Sequence, residues 1–298
     1  MKENTKVLKW VILIVLVLIW GSSYILMKRG LESYPAKQVA ALRIGISFLF
    51  LSPIIITRFR KVKKENIKYF ILAGLLGSGI PAFLFTEAQR GIDSQIAGIL
   101  NSVAPLFTLV VGVIFFRFRT KWYNVVGVFV GLSGAVGLLS VGDGASFSNN
   151  FSFGIYIIIA TILYATNINI VKKFLKDTDA LTITGFAFFF IGIPCIIYLL
   201  AGTDFVSRTQ ELKGALQSLG YISILAVLGT AAAGIMYNYL IKISSILFVA
   251  SVTYVIPVVA IMWGIIDGEP FYFGYFLWII LIFAGVFMVN KESKLVAK

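Results

Sequence analysis

The stretch "VLKWVILIVLVLIWGSSYILMKRG" at residues 7–30 decides the fold class, because its apolar part is long enough to cross a membrane. A helix of about 20 apolar residues spans a hydrocarbon core of about 30 Å. Near its end, Trp20, a glycine, two serines and a tyrosine replace the aliphatic residues before two cations. A second segment, "ILYATNINIVKKF" at 162–174, shows the same order. The recurrence indicates a repeated unit.

The composition favours a membrane protein. Of 298 residues, 59% are hydrophobic and 13% are charged, whereas soluble domains carry about a quarter charged residues. We predict an all-α integral membrane protein with ten transmembrane helices. Their approximate bounds are 7–27, 36–57, 67–88, 94–117, 122–140, 152–173, 179–201, 217–241, 246–266 and 271–290.

Enzyme chemistry has few candidate residues in this sequence. The chain has no His, which excludes His-ligated metal sites and His acid–base catalysis. A single cysteine, Cys195, excludes an intramolecular disulfide. No carboxylate lies near the middle of a predicted helix. We therefore predict no catalytic residues, no metal site and no cofactor.

The distribution of cations predicts the orientation in the membrane. With both termini in the cytoplasm, the inner segments hold 19 Lys and Arg residues and the outer loops hold 6. Cytoplasmic loops carry an excess of Lys and Arg. The net charge of +13 is therefore explained by insertion and contact with anionic lipid, and no nucleic-acid partner is predicted.

The sequence contains two related halves. Trp20 aligns with Tyr164, and the Lys28–Arg29 pair aligns with Lys172 and the next residue. Further pairs at a common offset are Tyr69 and Tyr221, Gly77 and Gly229, Ser78 and Thr230, Asn101 and Thr253, and Pro105 and Pro257. Each half, at 7–140 and 152–290, holds five predicted helices. Because five is odd, the second half enters the membrane inverted, as in secondary transporters with a site between the halves.

Three short motifs carry a family resemblance. They are "WGSSY" at 20–24, "ALRIGISFLF" at 41–50 and "NSVAPLF" at 101–107. With the two repeats, they resemble the EamA-type family of the drug/metabolite transporter superfamily over nearly the whole chain. The resemblance implies a cavity lined by the first, third and fourth helices of each repeat, with the fifth behind them, and export of amino acids or related metabolites. The second half departs from the pattern, since Thr184 stands near the place of Arg43 and Ala233 replaces Pro81.

Polar and aromatic side chains share one face on the first and sixth helices. Polar atoms inside a span face other helices or a water-filled cavity. Trp20 could instead anchor its helix at the interface, and Gly21 and Ser22 suit close helix packing. The predicted substrate-binding residues are Trp20, Ser23, Tyr24, Asn101, Tyr164, Asn167, Tyr237, Asn238, Thr253 and Tyr254, which Trp263 would join if it faces inward.

Two prolines predict polar backbone at membrane depth. Pro105 and Pro257 lack an amide hydrogen, so the carbonyls of Asn101 and Thr253 lose their helical donors. Such acceptors are tolerated where they face a cavity. We predict helix kinks there that contact the substrate, although kinks can also serve only to shape a helix.

Two charges fall inside predicted spans. Arg43 and Glu87 lie on the second and third helices, in the outer half of the membrane. Isolated burial of either charge is costly. We predict an intramembrane ion pair between them, or pairs with Arg90 and Asp93.

A Gly-x-x-x-Gly spacing occurs in the fifth helix. Gly127, Gly131 and Gly134 would let a second helix approach closely. The partner could be a helix of the same chain or a second copy, and we expect the former.

These observations predict an inner-membrane secondary transporter for small neutral or zwitterionic metabolites. Its partners are the lipid bilayer and the small-molecule substrate. The alternatives within the superfamily are a sugar-phosphate or nucleotide-sugar exchanger, which needs Lys or Arg deep in the cavity, and a drug efflux protein. The sequence leaves the substrate, the coupling ion, the direction and the oligomeric state open.

Overall fold

The chain forms an all-helical bundle. The computed structural model describes residues 2–116, 120–141, 144–244, 248–249 and 252–290, and every regular element in these ranges is helical. The α-helices are α1 Lys2–Leu31, α2 Ala36–Arg58, α3 Ile67–Gly74, α4 Ile80–Ala88, α5 Ser94–Asn101, α6 Ala104–Phe116, α7 Trp122–Leu139, α8 Gly144–Phe174, α9 Ala180–Gly202, α10 Phe205–Glu211, α11 Ala215–Ile224, α12 Ala233–Ile243, α13 Val252–Ile266 and α14 Gly274–Asn290.

Eight helical segments of the described chain are long and apolar enough to span a membrane. They are Val7–Leu31, Ala36–Arg58, Lys64–Ala88, Ser94–Phe116, Trp122–Leu139, Phe151–Phe174, Ala180–Gly202 and Ala215–Ile243. The last two predicted spans correspond to the shorter apolar helices Val252–Ile266 and Gly274–Val289. The predicted tenth span begins too early, because 271–273 precede α14. Hydropathy alone does not separate an apolar connection from a helix.

Two long segments contain a wider helical turn at the same place in each half. Leu75–Gly79 is π-helical and joins α3 to α4, and Leu225–Ala232 is π-helical and joins α11 to α12. A π-turn leaves backbone groups outside the regular i to i−4 pattern and occurs often at functional sites. Both turns lie midway along their spans, where lipid cannot satisfy such groups.

Large apolar side chains cover the outside of the bundle. Trp122 is 76% exposed, Phe129 is 70% exposed and Ile56 is 75% exposed. A continuous apolar exterior is unfavourable in water. The multi-pass helices and this exterior place the protein in a lipid bilayer.

Glycines set the closest helix contacts. A Cβ atom added to Gly285 of α14 would lie 2.4 Å from the backbone nitrogen of Gly131 in α7. A Cβ on Gly127 would lie 2.7 Å from the carbonyl oxygen of Gly285. The Gly-x-x-x-Gly face of α7 therefore packs against α14 of the same chain. Gly21 of α1 likewise packs against Val259 of α13.

This contact predicts that Gly285→Ala destabilises the protein. The added methyl group would meet backbone atoms, which cannot rotate away, so we expect a loss of about 1–3 kcal/mol. Gly220→Ala is the matched control, because nothing lies within 4 Å of a Cβ on exposed Gly220 in α11. Thermal unfolding of the two purified variants in detergent measures the difference. Equal stability would show that α7 and α14 do not pack this closely.

Candidate functional site

A central cavity lies between helices from both halves of the chain. The empty space within the cavity and at its opening to the outside amounts together to about 1180 Å³. Its wall is formed by α1, α2, α3, α4, the broken α5–α6 segment, α8, α9, α12, α13 and the two π-turns. Aromatic rings, hydroxyl groups and amides alternate with apolar side chains, which suits a small amphipathic molecule.

Most of the predicted binding residues line this cavity. They are Trp20, Ser23, Tyr24, Asn101, Tyr164, Asn167, Tyr237, Asn238 and Thr253. Tyr254 is not among them, although it directly follows Thr253 on α13. Trp263 is also outside, and its indole nitrogen donates to the hydroxyl of Ser22 at 2.8 Å between α13 and α1. The role of the lining residues in binding stays a prediction.

Trp20 connects the two halves at the cavity wall. Its indole Nε1 donates to the carbonyl oxygen of Gly229 at 3.0 Å, within the second π-turn. Its ring meets that of Tyr237 edge-on, with centroids 4.9 Å apart. The side chain is half-buried, so it acts as part of the wall and not as a lipid-facing anchor.

A second aromatic contact crosses the cavity. The ring of Phe85 stacks on Tyr164 with centroids 6.0 Å apart, and the ring of Tyr24 is tilted against Phe85 at a centroid distance of 6.1 Å. Sequence patterns missed Phe85, although it lies two residues before Glu87. The three rings form a continuous apolar surface that joins α1, α4 and α8.

Two asparagines of the cavity lining carry amide oxygens without a hydrogen-bond partner in the described chain. They are Oδ1 of Asn101 and Oδ1 of Asn167. Asn167 packs against Gly77 of the first π-turn, where a Cβ would lie 2.5 Å from its Nδ2. Asn238 differs, because its Nδ2 donates to the Thr184 hydroxyl at 2.9 Å. Unsatisfied amides are unfavourable unless a ligand or water completes them.

The predicted ion pair between Arg43 and Glu87 is wrong, whereas the alternative pair of Glu87 with Arg90 is confirmed. Glu87 pairs with Arg90, one helical turn along the chain and outside the cavity. Arg43 lines the cavity, and its Nε donates to the Thr230 hydroxyl at 2.6 Å. Among the lining residues, Arg43 carries the single formal charge.

The two prolines have different surroundings. The fourth span breaks between Asn101 and Ala104, so Pro105 begins a new helix and lines the cavity. Pro257 is buried inside α13 and does not line the cavity. Thr253, whose carbonyl cannot accept the usual helical hydrogen bond from Pro257, does line the cavity, so the predicted contact with substrate stays a prediction there.

A cluster of charged side chains joins the end of α1 to the segment after α13 and to the start of α5. The sequence patterns did not predict it. Lys28 Nζ lies 2.6 Å from Asp267 and 2.8 Å from Glu269, and Arg29 also pairs with Asp267. Glu269 accepts the backbone N–H groups of Ser94 and the next residue at 3.0 and 3.2 Å, at the N-terminus of α5. A negative charge is favourable there. The two carboxylates belong to "DGEP" at 267–270. Their partners, Lys28 and Arg29, are far away in sequence, so the pattern alone does not reveal the contact.

This cluster also affects a neighbouring acid. Burial raises the pKa of the Asp93 carboxyl, the nearby Glu269 carboxylate raises it further, and Lys28 opposes both. At the other end of the bundle, Lys172 Nζ donates to the carbonyl oxygens of Ile241 and Ser244 at 2.6 and 2.9 Å. Lys28 and Lys172, which align between the two halves, therefore both connect helix ends. Lys28 does so through carboxylates, and Lys172 through backbone carbonyls.

A multi-pass helical bundle with a polar central cavity defines a membrane transporter for small molecules. The EamA-like transporter family model matches residues 8–140 and again 152–291. The chain belongs to this family, within the drug/metabolite transporter superfamily. The two matched segments contribute to the same cavity.

Relatives extend the match over most of the chain. An uncharacterized transporter of Archaeoglobus fulgidus is 25% identical, in an alignment that covers 95% of this chain and 99% of that relative. The uncharacterized inner membrane transporter YedA of Escherichia coli is 28% identical over 85% of this chain and 80% of its own length. A solved crystal structure with 14% identity superimposes with a TM-score of 0.63 over 96% of both chains. That structure shows a shared fold.

The charge cluster predicts that Glu269→Gln destabilises the protein. The Glu269 carboxylate is 2% exposed and accepts from Lys28 and from the start of α5, so we expect a loss of about 1.5–3 kcal/mol. Glu32→Gln is the control, since Glu32 is 52% exposed and pairs only with Arg29 among the described residues. Surface pairs contribute about 0–1 kcal/mol. Equal melting temperatures of the two variants in detergent would contradict this role of Glu269.

Proposed function

We propose that the protein exports small neutral or zwitterionic metabolites across a bacterial inner membrane by alternating access. In this proposal ten helices span the membrane as two inverted five-helix repeats, 7–140 and 152–290. Substrate occupies the central cavity between them. The protein carries no catalytic activity of its own, in agreement with relatives that are named transporters.

One observation carries the proposal: a single polar cavity receives side chains from equivalent positions in both halves. Gly77 and Ser78 in the first π-turn line it, as do Gly229 and Thr230 in the second. Inverted repeats place substrate sites at such an interface near the midplane. Rocking one half against the other would open the cavity to each side in turn.

The lining supports this class of cargo over the alternatives. A drug exporter for cations would use a carboxylate, and no Asp or Glu of the described residues lines the cavity. A sugar-phosphate exchanger needs Lys or Arg deep in the cavity, and Arg43 meets this condition with one positive charge against the two negative charges of a phosphate dianion. Aromatic rings and amides suit a compact molecule with both apolar and polar parts.

Counterflow in proteoliposomes tests the proposal. Vesicles loaded with one unlabelled compound accumulate its radiolabelled form only if the protein carries it. The panel holds apolar amino acids, glucose, glucose 6-phosphate and a quaternary ammonium dye, with protein-free vesicles as control. We expect accumulation of at least one neutral or zwitterionic compound. Accumulation of the dye or the phosphate alone would contradict the proposed cargo class.

Asn167→Leu should impair transport and leave stability nearly unchanged. Among the described residues Asn167 makes no hydrogen bond to another helix, and it lines the cavity. Asn124→Leu is the matched control, because Asn124 Nδ2 donates at 2.9 Å to the carbonyl oxygens of Met288 and Val289 in α14. That change should cost about 0.6–2 kcal/mol of stability and spare transport per folded molecule.

Counterflow and thermal unfolding of the two variants separate these effects. The opposite pattern, with normal transport and reduced stability in Asn167→Leu, would remove this side chain from the transport pathway.

Impermeant maleimide labelling tests the proposed topology. In a Cys195→Ala background, Lys213→Cys in the connection before α11 should react in intact cells. Lys63→Cys should react only after permeabilisation, because 58–66 belongs to the cation-rich cytoplasmic side. Both positions are exposed, so accessibility within the protein does not bias the result. Labelling of Lys63→Cys alone in intact cells would reverse the orientation.

A further inference from the structure

We infer that Arg43 is the residue that selects the cargo by binding its carboxylate, so that the transported molecules are small carboxylic acids, zwitterions included. The inference rests on the proposed function and names the substrate class of the same cavity. It follows from the position of the guanidinium, its incomplete hydrogen bonding, and the absence of acidic side chains from the lining.

Arg43 lies deep in the bundle and still has accessible surface. It follows the first residue of α2, Ala36, by seven positions, or about 10 Å along the helix axis. The neighbouring Leu42 and Ile44 are buried, whereas Arg43 is half-buried and lines the cavity. The accessible part of the side chain therefore faces the cavity.

The guanidinium has unused donors. It carries five N–H groups in a planar fork. Only Nε has an acceptor in the described chain, the hydroxyl of Thr230 at 2.6 Å, and no carboxylate forms a salt bridge with Arg43. The phenol groups of Tyr24 and Tyr164 are its electrostatic neighbours. An unpaired charge at membrane depth is costly, which marks a functional site.

A carboxylate completes this arrangement. Two carboxylate oxygens match two parallel N–H donors of a guanidinium, and the paired charges strengthen the bonds. No acidic side chain of the lining competes for the position. The aligned place in the second half holds Thr184, which is neutral and already accepts from Asn238. The positive charge therefore lies on one side of the cavity only.

The rest of the cavity accepts the remainder of such a molecule. The Oδ1 atoms of Asn101 and Asn167 have no donor and can accept N–H groups from an ammonium. The faces of Phe85 and Tyr164 offer an apolar surface, and aromatic faces also attract ammonium groups. A phosphate dianion would meet one positive charge only, so a monocarboxylate is the better match.

The test compares acids with their carboxamides, which keep the amino group and lack the carboxylate charge. The probes are L-leucine and L-leucinamide, L-phenylalanine and L-phenylalaninamide, with glucose and glucose 6-phosphate added. Binding is read from the thermal shift of the purified protein, and transport from counterflow in proteoliposomes. In the native protein we expect each acid to bind at least about tenfold more tightly than its amide. This comparison needs no variant.

Variants assign the effect to the guanidinium. Arg43→Gln should weaken acid binding at least about tenfold and leave amide binding unchanged. Arg43→Lys keeps the charge without the fork and should fall between the two. Thr230→Val removes the hydroxyl acceptor and keeps the charge, so it should retain the preference for acids.

The outcomes separate this inference from the proposed function. Equal binding of acid and amide by the native protein, unchanged acid binding in Arg43→Gln, or preference for glucose 6-phosphate would overturn the carboxylate role. Transport of glucose or an amide under those conditions would leave the transporter itself standing. Absence of counterflow with every probe would overturn the proposed function and the inference together.

Discussion

The structure depends on one constraint: hydrocarbon offers no partners to backbone N–H and C=O groups, so the chain must satisfy them internally or gather them around a cavity. Regular helices satisfy nearly all of them. Three irregular stretches of the described chain lie together, since the break between Asn101 and Ala104 and the two π-turns all border the central cavity. The indole of Trp20 satisfies one backbone carbonyl of the second π-turn by donating to Gly229. Irregular backbone and polar side chains therefore occupy the same place for the same reason.

Much of the fold, and many of the residues that line the cavity in each half, could be predicted from the sequence because helical spacing is regular. Ser23 follows Trp20 by three residues, as Asn167 follows Tyr164, and each pair lies on one face that lines the cavity. Spacing does not decide every neighbour, because Tyr237 and Asn238 are adjacent and both line the cavity, whereas Tyr254, next to Thr253, does not. Hydropathy located the long helices, and it counted too many residues at the end of the chain, where helix and connection are equally apolar.

Other features depend on contacts that a single sequence does not reveal. Pro81 follows the first π-turn, and proline cannot donate back along the helix. The second π-turn precedes Ala233, which has no such effect. The carboxylate partners of Lys28 lie more than two hundred residues away, and Thr230, the partner of Arg43, lies 187 residues away in the other half. The family match explains why such distant segments meet, and the cavity chemistry explains what they surround.

Accessibility of one cavity residue from both faces of the membrane tests alternating access most directly. Ser78 lines the cavity from the first π-turn, is half-buried, and tolerates the near-isosteric Ser78→Cys. In a Cys195→Ala background, an impermeant thiol reagent is added to the outside or the inside of oriented proteoliposomes. Alternating access predicts labelling from either side, slowed by transported substrate in both cases. Labelling from one side only, in protein that still transports, would contradict a single cavity that opens to both faces.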